Sequence, residues 1–270
     1  MLTDTSLKQQ TGNILKKLQS LHILLVEDDL LNAKLVSVLF AQRGIALQFA
    51  VNGKEAIEKI KTNNFDIVLM DMEMPVMNGY QATTIIRHVL HNNIPIIALT
   101  AHVSYGEREK CLQLGMNDYV AKPVDTNVLL KSIYNLTCTG KNVLVKPVFP
   151  TPLSHPVVAD KVCNMGYLIG AARGNKKVIN NIVSVFFKET GKELIFLNDA
   201  IEKTNYTVIS DISHKIKSAF SILGISVLEP VFNEMEQLSS NTSGIGKIEQ
   251  LNRRVNIVFK QAEAEMMLEN

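Results

Sequence analysis

Four short apolar runs in this chain each lead to a residue that can handle a metal ion or a phosphoryl group. HILLVE (22–27) ends on Glu27 and runs into Asp28 and Asp29. DIVLM (66–70) is followed by Asp71, PIIALT (95–100) ends on Thr100, and DYVA (118–121) is followed by Lys122 and Pro123. If these runs are strands of an open α/β sheet, ligands bind beyond their carboxyl ends. One edge then gathers carboxylates, a hydroxyl and an ammonium. Taken singly, each has a plain reading; an acidic residue after a strand often caps the next helix, and Asp29 is placed to do that. Taken together they are harder to dismiss, because clustered carboxylates repel unless a cation sits among them. Mg²⁺ suits such a cluster, since it prefers oxygen ligands and keeps room for water and phosphate. Lys122 and Thr100 would complete a site for a transferring phosphoryl group. Asp71, the central carboxylate, is the candidate nucleophile.

The elements that must position these residues alternate along the first half. Leu30–Arg43 has helical spacing and stops at Gly44, a good terminator. IALQFA (45–50), a helix over Lys54–Lys61, a helix near Tyr80–Leu90, a helix over Tyr105–Leu114 and a last helix over Thr126–Leu136 fill the gaps between the runs. The runs lack polar alternation, as expected for strands buried on both faces. Five βα units imply a doubly wound, five-stranded parallel sheet of the flavodoxin-like kind with right-handed crossovers.

Composition bounds the rest. The chain has 270 residues and a net charge of +2, so no bulk field favours nucleic acid or an anionic membrane. The small surplus sits outside residues 21–137 and 159–270, which carry −2 and 0. Three cysteines (Cys111, Cys138, Cys163) show no metal-like spacing, which argues against a disulfide framework and fits a reducing compartment. No apolar run is long enough to span a bilayer, and the first residues lack a signal-peptide core, so a cytoplasmic location is expected. Four of the eight prolines fall between Thr137 and Asp160. That stretch reads as a semi-rigid, extended linker. The expected organisation is a lead-in at 1–20 with a short helix at Asn13–Gln19, an α/β domain at 21–137, a linker at 138–159 and an all-α helical bundle at 160–266. Helices are expected there over 164–190, 192–203, 206–222, 226–239 and 245–266, punctuated by Gly174, Gly191 and Gly224.

LLVEDD (24–29), IVLMDMEMPVMNGY (67–80), PIIALTAH (95–102) and DYVAKP (118–123) resemble, in order, the receiver domain of two-component response regulators. The resemblance implies Asp71 as phosphoacceptor and Glu27–Asp28 as the acidic pair. It implies Mg²⁺ held by Asp28, Asp71 and the backbone carbonyl of Glu73, with Glu27 acting through water. Thr100 and Lys122 would contact the phosphoryl oxygens, and Tyr119 falls at the aromatic switch position. The TAH run at 100–102 is similar to receivers attached to hybrid sensor kinases.

The second half carries one further candidate. Ile209, Ile212, Ile216, Phe220 and Leu223 recur every three or four residues and form a buried stripe. His214 lies two residues from Ile212 and from Ile216, ~200° around a helix of 3.6 residues per turn, and should face solvent. Lys217 and Ser218 share its face. An imidazole is a competent nucleophile when accessible, and Lys217 supplies charge for an incoming anion. SHKIKSAFSILG (213–224) resembles the active helix of histidine-containing phosphotransfer (HPt) domains, with Lys217 and Gly224 at the matching positions. Ser218 stands where that family usually has Gly, and Ser213 where Ala is frequent. The resemblance implies a metal-free four-helix bundle in which His214 is phosphorylated.

The combined expectation is a phosphorelay protein whose partners are a sensor histidine kinase, other receiver domains, or both, with no nucleic-acid or membrane contact. No ATP-binding kinase core is visible. Transfer from Asp71 to His214 within one chain and transfer to partners in trans both stay open. Two rival readings fit the residues less well. A phosphorylation-independent docking module is opposed by the intact Asp28, Asp71, Thr100 and Lys122 set. A haloacid-dehalogenase-like phosphatase would want Asp at position 73, where this chain has Glu73.

Overall fold

The structure, a computed structural model, describes residues 14–100, 105–139 and 161–268. The chain divides between Thr151 and Pro152 into two compact units. Most of the proline-rich stretch, and His102, lie outside the described residues.

In the first unit, residues 14–19 are helical. Then β1 (Ile23–Val26), α1 (Leu30–Ala41), β2 (Leu47–Ala50), α2 (Gly53–Thr62), β3 (Ile67–Asp71), α3 (Gly79–His88), β4 (Ile96–Thr100), α4 (Tyr105–Gln113), β5 (Asp118–Ala121) and α5 (Thr126–Tyr134) alternate. The five strands pair in the order β2-β1-β3-β4-β5, parallel throughout. This is the flavodoxin-like doubly wound order. Successive side chains of a strand point to opposite faces, and the core divides accordingly. Leu24, Val26, Val68, Met70, Ile96 and Ala98 pack under one helical layer. Ile23, Leu25, Ile67, Leu69, Ile97 and Leu99 pack under the other. Every residue of β1, β3 and β4 is buried, as their unbroken apolar runs require. β2 departs from that expectation. It is an edge strand, and Gln48 and Phe49 are exposed because no strand lies beyond them.

Short polar side chains start the helices and so fix where each strand's chemistry begins. Asp29 caps α1 by accepting from the Asn32 amide, as its plain reading required. Asn52 and Asp125 do the same for α2 and α5, and Asn78 forms a capping box with Gln81 at α3.

The second unit is a helical bundle: α6 (Gly166–Ala171), α7 (Lys176–Glu202), α8 (Tyr206–Ile222), a 3₁₀ turn (Ser226–Leu228), α9 (Glu229–Ser240) and α10 (Ile245–Leu268). Phe220 of α8 is its centre. Its ring lies 5.4 Å from Phe186 of α7, 5.6 Å from Phe232 of α9 and 6.2 Å from Phe259 of α10. Such aromatic pairs add to the burial that holds four helices together.

Of the first two glycines expected to punctuate the helices, Gly174 breaks the chain and Gly191 does not. The chain turns at Arg173 and Gly174, both at positive φ, so the expected helix over 164–190 is split there. Gly191 does not break α7. A mid-helix glycine costs only about 1 kcal/mol against alanine, and buried neighbours such as Phe186, Thr190 and Leu194 hold the helix through it.

Candidate functional site

The strand ends bring the predicted acidic residues together. Ligand oxygens of Glu27, Asp28 and Asp71 all lie within 4.8 Å of one another. Glu27 follows β1, which is pinned between β2 and β3, and its own amide donates to the Ala50 carbonyl. Asp71 closes β3, and the next amide, Met72, donates to Leu99 of β4. Thr100 is buried at the end of β4, and its carbonyl accepts from the Lys122 amide at 2.8 Å. These ladder bonds carry the ends of three strands to one edge of the sheet.

Lys122 completes the cluster. Its Nζ lies 2.8 Å from Asp71 Oδ2 and 2.7 Å from Glu27 Oε2. It is nine-tenths buried, so the pairs are weakly screened. Burial alone would lower the Lys122 pKa, but Glu27 and Asp71 outweigh it and hold the ammonium charged. Burial pushes the Glu27 carboxyl up, Lys122 pulls against it, and the Asp71 charge adds to the rise. Glu27 thus contacts Lys122 directly, a pairing that the strand-end reading did not anticipate. Asn32 of α1 also donates to Glu27, at 3.1 Å. Sequence reading missed Asn32, although its place in the first turn after the acidic run was the available signal.

Three carboxylates share one lysine here, so the charge is unbalanced. An all-oxygen donor set with surplus negative charge fits a hard divalent cation. The Glu73 amide lies 3.3 Å from Asp71 Oδ1, while the Glu73 side chain is exposed. That arrangement keeps the Glu73 side chain out of the cluster and leaves its backbone beside Asp71. Tyr119 of β5 is half-buried, with the Arg108 guanidinium carbon 5.8 Å from its ring centroid. Close by, the Tyr80 hydroxyl donates to Glu107, tying α3 to α4.

The bundle carries a second cluster. Burial on α8 follows the expected stripe: Ile209, Ile212, Ile216, Phe220 and Leu223 are all buried. His214 is correctly off that stripe but does not stand free in solvent. Its side chain is 22% exposed, and Nδ1 lies 3.4 Å from Glu236 Oε1 of α9. The reason is the neighbouring helix, which a reading of α8 alone cannot place. Lys217 also turns to α9, where its Nζ donates to Glu236 Oε2 at 2.9 Å and to Asn233 Oδ1 at 3.1 Å. Burial raises the Glu236 pKa, but His214 and Lys217 outweigh it and hold the carboxyl below its usual value. Glu236 and Asn233 were not anticipated, since nothing in the local spacing links them to His214. Ser213 is fully buried, and Ser218 half-buried beside Lys217.

Comparison with known proteins bears on the first cluster. Residues 23–134 match the response regulator receiver domain family. The chain is 41% identical over 120 residues to hybrid signal transduction histidine kinase B of Dictyostelium discoideum, covering 40% of this chain and 6% of that protein. It is 37% identical over 114 residues to the signal transduction histidine-protein kinase BarA of Escherichia coli K12, covering 40% of this chain and 12% of that protein. The matched stretch is therefore a small part of these relatives. Among solved structures, the receiver domain of sensor histidine kinase PA1611 of Pseudomonas aeruginosa PAO1, with magnesium coordinated in its active site cleft, is 37% identical. That match covers 43% of this chain and 95% of that one, with a TM-score of 0.39. Among the described residues, no helix is long and apolar enough to cross a membrane. The strand order, the carboxylate cluster at its carboxyl edge and the family match agree, and residues 23–134 are a response regulator receiver domain.

Proposed function

We propose that the chain is a two-component phosphorelay protein, with a receiver at 21–137, a proline-rich linker at 138–159 and an HPt domain at 160–266. Asp71 accepts a phosphoryl group from a phosphohistidine, and His214 exchanges one with a receiver aspartate. The observation that carries this reading is the Lys122 ammonium 2.8 Å from Asp71 Oδ2, inside a carboxylate cluster at the sheet's carboxyl edge.

In the first step an Asp71 carboxylate oxygen attacks phosphorus, the P–N bond breaks, and its electrons leave with the imidazole. Lys122 holds positive charge beside the oxygens of the transferring group. Thr100, buried at the end of β4, places a hydroxyl at the same edge. Glu27 also holds Lys122, at 2.7 Å. Asp28, Asp71 and the Glu73 carbonyl would hold Mg²⁺, with Glu27 close by. Mg²⁺ supplies neutralisation of phosphoryl charge when bound.

The second step is assigned to His214 from its place on the exposed side of the α8 stripe and from Lys217 three residues on. Phosphodonors and acceptors in trans are a sensor histidine kinase or other receiver domains. The matched relatives named above are histidine kinases, that of Dictyostelium discoideum a hybrid one, which supports that class of partner.

The test is radiolabel supplied by an active sensor kinase in Mg²⁺, comparing the chain with Asp71→Asn and His214→Gln. Label should vanish from the receiver in the first and from the bundle in the second. Undiminished label in the double variant overturns the assignment.

A further inference from the structure

We infer that Asn32 is a positioning residue of the receiver's acidic cluster: its side-chain amide holds the Glu27 carboxylate in one orientation, and so sets Lys122 and the turn that carries Asp28. The inference rests on the Mg²⁺ and phosphoacceptor reading of that site and deepens it.

The placement follows from the turn between β1 and α1. Glu27 follows β1, Asp28 and Asp29 make the turn, and Asn32 stands in the first turn of α1. Both ends are fixed by backbone. The Glu27 amide donates to the Ala50 carbonyl at 3.0 Å. The Asn32 backbone amide donates to Asp29 Oδ1 at 2.8 Å, and the Ala33 amide to the Asp29 carbonyl at 2.9 Å. Val36 and Phe40, further along α1, are buried in the core beneath it. The Asn32 side chain then reaches back, and its Nδ2 donates to Glu27 Oε1 at 3.1 Å. That bond closes the stretch 27–32 on itself, with Asp28 inside it.

Glu27 needs such a partner. The last torsion of a glutamate is broad and roughly two-fold, so its carboxylate turns easily. Lys122 does not stop it. Its Nζ lies 2.9 Å from Oε1 and 2.7 Å from Oε2, so the ammonium can follow either oxygen. Asn32 breaks that symmetry, because it donates to Oε1 alone and an amide N–H is directional. Glu27 is buried, where a hydrogen bond is stronger than in water. With Glu27 fixed, Nζ is kept where it also meets Asp71 Oδ2, at 2.8 Å. The same carboxylate closes the oxygen cluster with Asp28 and Asp71. Carboxylates at metal sites are commonly oriented by hydrogen bonds from residues that do not touch the ion, and loss of such a partner weakens the site. Without Asn32, Glu27 would turn together with Lys122, and the cluster would have to be ordered as Mg²⁺ binds.

The experiment uses the full ¹⁵N-labelled chain with Asn32→Ala and Asn32→Ser, alone and in a Glu27→Ala background. Titration with MgCl₂, followed by backbone ¹H–¹⁵N shifts, reads the affinity for the ion without any phosphate. Mg²⁺ should bind about tenfold more weakly in Asn32→Ala. Asn32→Ser keeps a polar residue in the first turn of α1 but is too short to reach Glu27, and it repeats the test should Ala disturb the helix. In the Glu27→Ala background neither substitution should change the affinity further, because no carboxylate remains for Asn32 to hold. Phosphoramidate then serves as a small donor in a His214→Gln background: an Asp71 oxygen bonds to phosphorus, the donor's P–N bond breaks, and ammonia leaves with its electrons. Labelling of Asp71 at limiting Mg²⁺ should slow in Asn32→Ala. Unchanged Mg²⁺ affinity in both Asn32 variants, or an equal loss with and without Glu27, overturns the inference. Absence of any Mg²⁺-dependent shift in the unaltered chain overturns the metal reading, and the inference with it. Absence of label that depends on Asp71 overturns the phosphoacceptor reading instead, while the titration, read without phosphate, decides the role of Asn32 separately.

Discussion

A side chain on Gly79 would begin 2.3 Å from the backbone oxygen of Asp71, closer than any non-bonded carbon sits. Gly79 opens α3, and its amide returns to the Met72 carbonyl at 3.2 Å. The start of α3 is therefore pressed against the end of β3, and only glycine lets it approach. Gly79→Ala must push the loop after Asp71 away from the sheet. The expected loss is about 1–3 kcal/mol in urea unfolding, as for other overpacked sites. Phosphorylation of Asp71 by a small donor should fall with it. Wild-type stability in this variant would show that the contact is not rigid.

Lys122 is the cation that makes Glu27 and Asp71 compatible. In Lys122→Ala the two carboxylates face each other with no ammonium between them. Breaking a buried pair by removing one partner costs about 3 kcal/mol. That loss is expected in EDTA, and Mg²⁺ should restore part of it, because a bound cation takes over the charge. Asp71 labelling should stay suppressed even in Mg²⁺. An equal loss of stability with and without Mg²⁺ would show that the cluster does not hold the ion.

The two clusters differ in how far the sequence exposes them. Glu27, Asp28, Asp71, Thr100 and Lys122 each end or follow a strand, so an ordered parallel sheet brings them together whatever the details of helix packing. Local apolar runs are enough to see that. The surroundings of His214 depend on how α8 meets α9, and helical periodicity says which face is polar but not what it meets. Glu236 was therefore invisible, and His214 was placed in solvent. Gly191 misled for a related reason: its cost to a helix is small and is offset by packing that only the bundle supplies. The exposed face of β2 could not be read either, since nothing in IALQFA marks it as an edge.

Arg87 shows another relationship that sequence hides. Its guanidinium donates to the carbonyls of Gly115, Asn92 and Ile94 at 2.9, 2.7 and 2.7 Å, and to Asn117 Oδ1 at 3.2 Å. It thereby ties the end of α3 to the loops before β4 and β5. Arg87→Ala leaves several half-buried acceptors without a donor, a penalty of about 1–3 kcal/mol each where water cannot reach. The total expected in urea unfolding is about 3 kcal/mol. Lys at 87 should not rescue it, because an ammonium lacks the planar fork. Rescue by Arg87→Lys would reduce the site to a simple charge.

Stability of the bundle should carry the mark of Glu236 on its acid side. The unfolded carboxyl titrates near 4.5, and the folded one lies below it, because His214 and Lys217 favour the charged form more than burial opposes it. A carboxyl depressed on folding contributes stability that is complete above the unfolded pKa and is lost as pH falls through the folded one. The chain should therefore exceed Glu236→Gln by about 1 kcal/mol at pH 7, the upper end for a screened pair. Below pH 4.5 the gap should narrow and close. Urea midpoints of both proteins, followed by helical circular dichroism across this range, read it directly. A gap that is constant with pH would mean that Glu236 acts through packing alone, and that the carboxylate charge facing Nδ1 contributes nothing to holding α8 against α9.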